Sequence, residues 1–160
     1  GASSAIKRDK VARMLNEVGL APEHVRRYPH ELSGGQRQRV VIARALVMEP
    51  DLVVADEPVS ALDVTVQAQV LELLERLQTR FGFAMVFVSH DLAVVAQVAD
   101  RIVILRRGRI LEAGDAARIL DAPEHPYTRE LWAAAPKLRR VNGGYALEER
   151  LPPSAFRLPA

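Results

Sequence analysis

Two short apolar runs on either side of a helical pattern constrain the fold of this chain most. Residues 52–55 read Leu-Val-Val-Ala and residues 83–88 read Phe-Ala-Met-Val-Phe-Val, with apolar residues at helical spacing over 64–80 between them. Continuous apolar runs of this length are typical of buried strands in a parallel sheet, and parallel strands need a crossover connection, usually a helix. The sequence therefore predicts an α/β domain with a mainly parallel sheet and flanking helices.

The remaining pattern predicts further helices and one hairpin. Arg101–Leu105 and Arg109–Glu112 flank Arg107-Gly108, which is typical of an antiparallel hairpin. Residues 139–160 show no clear period and are predicted to be an irregular tail. Further helices are predicted at 9–18, from after Ser33 to about Met48, and at 91–99, 115–120 and 127–134.

Composition excludes several classes of protein. The chain has no cysteine, which excludes disulfides, thiolate metal sites and iron–sulfur clusters. A net charge of +2 gives no support for nucleic-acid binding. No apolar run reaches the roughly 18 residues of a membrane span, and we expect no signal peptide behind Gly1, so a membrane role is expected to come through partners.

Leu32-Ser33-Gly34-Gly35-Gln36 is the first segment that suggests chemistry. Ser33 and Gln36 form the pattern of a capping box, which would satisfy free amides at a helix start. The pattern does not explain two glycines in the first turn, where each costs up to about 1 kcal/mol against alanine. Bare backbone there lets an anion approach free N–H groups at the positive end of the helix dipole. The segment therefore indicates a phosphate site or a plain cap.

Polar residues follow each of the two predicted strands. Asp56 and Glu57 come directly after residues 52–55, and His90 follows the second strand. Ligands of open α/β sheets bind beyond the carboxyl ends of strands, where one carboxylate could hold Mg²⁺ through water and another could activate a water. The alternatives are a solvated turn and, for Ser89-His90-Asp91, a helix cap. Asp63, at the end of Ser60-Ala61-Leu62-Asp63, is a plausible N-cap for the next helix.

Taken in order, these segments resemble the ABC ATPase family over roughly Val25 to Leu138. The resemblance implies that Leu32–Gln36 is the signature motif, with Ser33, Gly34, Gly35 and Gln36 contacting ATP in trans. It implies that Leu52–Glu57 is the Walker B strand, with Asp56 toward Mg²⁺ through water and Glu57 as catalytic base. It further implies that Ser60 to Asp63, with Ser60 and Asp63 as its ends, is the D-loop, that His90 is the switch histidine, and that ATP and Mg²⁺ are bound.

The family's phosphate loop, G-x-x-x-x-G-K-[ST], does not occur in these 160 residues. The resemblance implies that this loop would precede Gly1, so we expect a P-loop NTPase-like partial domain, arising from a truncated chain, a split domain or an incomplete gene. Residues 1–138 would form this domain from the helical subdomain onward, including a C-terminal extension at 121–138. Alone, the chain is expected to hydrolyse no MgATP above a Glu57→Gln control.

Two stretches resemble the oligopeptide and dipeptide importer branch of the family. They are Ser60 to Val70 and His125-Pro126-Tyr127-Thr128-Arg129-Glu130-Leu131. This branch, which also includes nickel and glutathione importers, implies a second ATPase subunit, two membrane permease subunits and a substrate-binding protein, at the cytoplasmic face of the plasma membrane. Two alternatives stay open: a non-catalytic fragment that pairs with an intact ATPase, and an ABC ATPase without a transport role.

Overall fold

The computed structural model describes residues 4–134, 138–141 and 144–147, and the chain divides into two compact units after Val88. In the first unit, two short 3-10 turns, Pro22–Arg26 and Pro29–Glu31, separate the first two helices, and a strand, a helix and a second strand follow. Its regular elements are α1 (Ser4–Glu17), α2 (Gly34–Leu46), β1 (Leu52–Asp56), α3 (Val64–Phe81) and β2 (Ala84–Val88).

Strands β1 and β2 pair in parallel, from Leu52 opposite Ala84 to Asp56 opposite Val88. Helix α3 connects them and ends at Gly82, whose φ of 70° is the left-handed conformation that glycine adopts without a steric penalty. The predicted parallel strands at 52–55 and 83–88 and the helix between them are therefore confirmed. The carboxyl ends of both strands lie at one edge of the sheet.

The prediction that both strands are buried was wrong. Leu52, Val54, Val86 and Val88 are 55%, 64%, 48% and 44% exposed. Parallel strands are buried when both faces of the sheet carry a covering layer, and within the described residues of this unit these four side chains have none. The core of the unit lies instead among the helices and Phe83, the residue before β2. Its buried residues include Met14, Leu15, Val18, Ile42, Leu46, Val70, Leu73, Leu74, Leu77 and Phe83.

The second unit is built around an antiparallel hairpin. In it, strand Arg101–Arg106 pairs with strand Arg109–Asp115, and the two residues between them, Arg107 and Gly108, have φ of 50° and 74°. Positive φ at both turn positions matches the twist of a two-residue hairpin, so the predicted hairpin is confirmed. The unit contains α4 (Leu92–Val98), β3 (Arg101–Arg106), β4 (Arg109–Asp115), α5 (Ala116–Asp121) and α6 (Pro126–Ala134). Its buried core comprises Ala96, Ile102, Ile104, Ala116, Ile119 and Leu120.

The start of the predicted irregular tail holds a second antiparallel pair, β5 (Leu138–Val141) with β6 (Gly144–Leu147). The sequence carries a signal for it, because Asn-Gly at 142–143 favours a two-residue hairpin turn. Residues 148–160 of the tail lie outside the described residues. Over the part of the chain that is described, no helix is long and apolar enough to cross a membrane.

Candidate functional site

Ser33 caps helix α2 in the way that the sequence predicts. Its hydroxyl accepts the N–H of Gln36 at 3.2 Å, and its own N–H donates to Gln36 Oε1 at 3.0 Å. The backbone of Ser33 is extended (φ −64°, ψ 164°), as an N-cap requires. The capping box is therefore formed, and it satisfies one amide of the first helical turn and the amide of Ser33 itself.

The two glycines that follow Ser33 differ in their surroundings. A Cβ added to Gly34, which is exposed, would lie 3.6 Å from Leu62 Cδ2, an ordinary contact. A Cβ added to Gly35 would lie 2.7 Å from Val66 Cγ1 on α3, which is too close for two carbon atoms. Gly35 therefore has a packing reason to be glycine, whereas packing does not explain Gly34.

The backbone N–H groups of these glycines point along the open end of α2. Positions in the first turn of a helix have no intrahelical acceptor, and among the described residues no acceptor is recorded for the N–H of Gly34 or Gly35. An anion at this end would meet two free N–H groups and the positive end of the helix dipole. The arrangement suits a phosphate oxygen.

Asp56 and Glu57 lie at the carboxyl edge of the parallel pair. Asp56, exposed, is the last residue of β1 and pairs in register with Val88. Glu57 continues the sheet, since its N–H donates to the carbonyl of Val88 at 2.9 Å. The half-buried Glu57 has a φ of 48°, which is unusual for a residue with a side chain, and it precedes Pro58. Such a conformation costs of order 1–3 kcal/mol and is concentrated at functional sites.

Ser60 to Asp63 link Glu57 to helix α3. The Ser60 hydroxyl donates to the Glu57 carbonyl at 3.1 Å. Asp63 Oδ1 accepts the N–H groups of Thr65 and Val66 at 3.1 and 3.0 Å, so the predicted N-cap is confirmed. The D-loop candidate is therefore hydrogen-bonded at one end to Glu57 and at the other end to α3, the helix that packs against Gly35.

His90 belongs to the second unit. It is exposed and comes just before Asp91, which caps α4 by accepting the N–H of Ala93 at 2.9 Å and of Val94 at 3.4 Å. The cap that the sequence allowed for Ser89-His90-Asp91 is thus formed by Asp91. A position of His90 beside Asp56 and Glu57 stays a prediction.

Within residues 4–134, 138–141 and 144–147, no group of three or more histidine, aspartate and glutamate side chains has a geometry that could hold a metal ion. Mg²⁺ in phosphate-transfer sites is bound by one or two carboxylates, with substrate phosphates and water filling the other positions. An exposed single carboxylate at the carboxyl end of a strand, as Asp56 is, fits that mode of binding. It does not fit a cage made of protein ligands alone.

Among the features that the sequence does not indicate are three sets of hydrogen bonds. His24 lies against Gln36 of the capping box, with 3.4 Å between their Nε2 atoms. Arg39 donates to the Val18 carbonyl at 2.7 Å and so caps the end of α1 from α2. Residues distant in sequence make both contacts, and nothing in the local pattern indicates either.

The third feature is the buried carboxylate of Glu112 in the second unit. It accepts the N–H groups of Glu124 and His125 at 2.9 and 3.1 Å. The Glu124 N–H lowers the pKa of Glu112 most, and the His125 N–H and the charge of Arg118 lower it further. Glu112 thereby anchors the start of the His125–Leu131 stretch to the hairpin.

Comparison with solved structures defines the class of protein. The ADP conformation of MJ1267, an ATP-binding cassette of an ABC transporter, matches 83% of this chain with a TM-score of 0.70, at 23% identity and over 52% of that structure. The cbiO1 protein of Clostridium perfringens, part of the cbiONQ transporter complex, matches 76% of the chain with a TM-score of 0.67, at 30% identity and over 48% of its own length. The fold is that of part of an ABC ATPase cassette.

Sequence comparison agrees with the fold. The ABC transporter family model matches residues 3–60. The glutathione import ATP-binding protein GsiA of Pectobacterium atrosepticum is 54% identical over 79% of the chain. The oligopeptide transport ATP-binding protein OppF of Streptococcus pyogenes serotype M1 and the dipeptide transport ATP-binding protein DppF of Haemophilus influenzae are each 52% identical, over 81% and 85% of the chain. These matches confirm the predicted resemblance to the ABC ATPase family, and the relatives are those of the predicted peptide-importer branch.

The chain spans only part of these relatives. It covers 42% of the length of OppF and of DppF, and 20% of the length of GsiA.

Proposed function

We propose that this chain is the signature-bearing part of the ATP-hydrolysing subunit of an importer for oligopeptides or dipeptides. The observation that carries the proposal is the start of α2. There the N-cap residue Ser33 precedes two glycines whose N–H groups have no acceptor among the described residues. The similarity to OppF, DppF and GsiA supports import of peptides or glutathione, and the resemblance to the importer branch adds nickel as an alternative cargo.

The chemistry proposed is an in-line attack of water on the terminal phosphate of ATP. Glu57 accepts a proton from that water or orients it. Its left-handed backbone sets the direction in which the side chain leaves the main chain. Asp56 would hold Mg²⁺ through water, and the ion would supply positive charge that neutralises the phosphates. His90 would touch the terminal phosphate and help to position the water. Catalysis on this view is positioning and charge stabilisation.

The signature residues act on a different nucleotide. Ser33, Gly34, Gly35 and Gln36 contact the phosphates of an ATP molecule held by a second ABC ATPase subunit. Ser60 and Asp63 form the link between the two roles, because this segment bonds the Glu57 carbonyl and caps the helix that packs on Gly35. Closure of the ATPase pair would drive two permease subunits at the cytoplasmic face of the plasma membrane, supplied by a substrate-binding protein.

Mixed dimers of the whole ATPase subunit test the division into cis and trans groups. We choose Gly34→Asp, since Gly34 has room for a side chain and aspartate suits a helix start while its charge repels phosphate. The second change is Glu57→Gln. If Gly34 acts in trans and Glu57 in cis, one change on each subunit leaves one intact site, whereas both changes on one subunit leave none.

The expected result is retained ATP hydrolysis in the first dimer and a loss of roughly a hundredfold or more in the second. The reverse order, with activity in the dimer that carries both changes on one subunit, would refute the assignment. Glu49→Gln is the matched control, because Glu49 also has a positive φ, 52°, and lies exposed in a salt bridge to Lys10. It should leave turnover unchanged.

A second candidate is a non-catalytic module that pairs with an intact ATPase. It is favoured by the location of all four trans residues, Ser33 to Gln36, on one capped helix start within these 160 residues, which hold no G-x-x-x-x-G-K-[ST]. Pull-down of an intact ATPase by the chain, with and without ATP, separates the candidates. ATP-dependent capture that Gly34→Asp abolishes, without Glu57-dependent turnover by the chain, supports the module.

A further inference from the structure

A relay of three hydrogen bonds connects the turn Pro22–Arg26 to the start of α2. His24 Nδ1 lies 2.9 Å from the carbonyl oxygen of Ala21, and His24 Nε2 lies 3.4 Å from Nε2 of Gln36. The Oε1 atom of the same Gln36 accepts the Ser33 N–H at 3.0 Å. His24 and Gln36 are both half-buried, so the relay lies partly out of solvent.

The direction of each bond in this relay is fixed by the groups at its ends. A carbonyl oxygen can only accept, so His24 Nδ1 carries the proton; the Ser33 N–H can only donate, so it faces Gln36 Oε1. The amide nitrogen of Gln36 then points at His24 Nε2, which in a neutral ring protonated at Nδ1 is an acceptor. All three bonds are therefore satisfied by one tautomer of His24 and one orientation of the Gln36 amide.

We propose that His24 is a positioning residue that fixes the side chain of Gln36 and, through it, the capping box at the start of α2. The Ser33 N–H already requires one orientation of the Gln36 amide, and the contact with His24 Nε2 favours the same orientation from the other end of the side chain. By holding that orientation, His24 orders the backbone that carries Gly34 and Gly35. The consequence of this positioning for nucleotide binding rests on the proposed function. The effect of His24 on Gln36 does not depend on that function.

The full chain in solution tests the orientation directly by nuclear magnetic resonance. With ¹⁵N-labelled histidine and glutamine in mildly alkaline solution, where model imidazoles are neutral, His24 should show the Nδ1-protonated tautomer. His24→Phe should shift the side-chain amide resonances of Gln36, and His24→Gln, which restores an acceptor near the position of Nε2, should return them toward the original values. An Nε2-protonated His24, or Gln36 resonances that ignore His24→Phe, would overturn the proposal.

His30→Phe is the matched control. His30 lies in the turn just before the capping box, is exposed, and stacks on Tyr28 with 5.7 Å between ring centroids. The same substitution in the same loop should leave the Gln36 resonances unchanged, because a phenyl ring can keep the stack. A shift as large as that of His24→Phe would mean that the loop as a whole, and not the His24 contact, holds Gln36.

Turnover of the whole ATPase subunit supplies the second readout. His24→Phe should raise the ATP concentration for half-maximal hydrolysis by about fivefold, the equivalent of a hydrogen bond of about 1 kcal/mol, with His24→Gln recovering most of it. Glu57-dependent turnover that is indifferent to both variants would overturn the positioning role. If no turnover depends on Glu57, the proposed function fails instead, and the resonance experiment alone decides the role of His24.

Discussion

Adding one methyl group to each of the two glycines at the start of α2 should change stability in opposite directions. The nearest atom to a new Cβ is Leu62 Cδ2 at 3.6 Å for Gly34 and Val66 Cγ1 at 2.7 Å for Gly35. The first is an ordinary contact, and the second is well inside the 3.5–4.0 Å optimum for two carbon atoms. The two glycines are adjacent, so the comparison holds the local helix almost constant.

The magnitudes follow from two competing effects. Replacing glycine by alanine where the backbone suits alanine stabilises a protein by about 0.4–1 kcal/mol, and this is the whole effect expected for Gly34→Ala. For Gly35→Ala an overpacking penalty of about 1–3 kcal/mol opposes that gain. Val66 is β-branched and has one strongly preferred rotamer in a helix, so its methyl group cannot easily swing away. The net effect of Gly35→Ala is a loss of about 1–2 kcal/mol.

Urea unfolding of the full chain measures both effects. Unfolding should be followed by far-ultraviolet circular dichroism and not by tryptophan fluorescence. The one tryptophan in the sequence, Trp132, belongs to the second unit, whereas both glycines belong to the first. Val66→Ala removes the obstructing methyl group, so it should restore most of the stability lost in Gly35→Ala. Equal stability of Gly35→Ala and the original chain, or a loss that Val66→Ala leaves untouched, would refute the packing explanation of Gly35.

Three further predictions concern anchors and caps. Glu112→Gln should destabilise the chain by about 1–3 kcal/mol, because the carboxylate accepts the N–H groups of Glu124 and His125. Since these bonds lower the pKa of Glu112 below its ordinary 4.5, its contribution is present above that pH and lost as pH falls through the lowered value, so acid titration of unfolding should be steeper in the original chain than in Glu112→Gln. Asp63→Ala should cost about 1 kcal/mol in thermal unfolding by removing the α3 cap. Arg39→Met should lower the urea midpoint, because it removes the hydrogen bond from the charged Arg39 to the Val18 carbonyl at the end of α1, a bond of about 1.5–3 kcal/mol.

The elements that could be predicted are those whose limits are set by nearby residues. Ser33 and Asp63 begin their helices through side chains that bond amides two or three residues away, and Gly82 ends α3 with its own left-handed backbone. Such signals are local, so the sequence alone indicates them. The parallel pairing of β1 with β2 was likewise indicated, because two apolar runs joined by a helix have few other arrangements.

The features that could not be predicted depend on contacts between distant residues. The exposure of Val54 and Val86 depends on which layers cover the sheet, and an apolar run carries no information about its cover. The contact of Gly35 with Val66 joins two helices, and His24 reaches Gln36 across 12 residues of sequence. The left-handed φ of Glu57 was also missed, because a glutamate before proline gives no indication of it.

The two glycines at the start of α2 support a nucleotide site to different degrees. The close approach to Val66 accounts for Gly35 whether or not a phosphate ever binds, so Gly35 by itself cannot support a nucleotide site. Gly34 has room for a side chain and would gain helix stability from one, yet it carries none. If Gly34→Ala stabilises the chain and also weakens ATP-dependent pairing, then the position sacrifices stability for access to its N–H group. If it stabilises the chain and pairing is unchanged, the hypothesis of a phosphate at this helix start loses its strongest physical support.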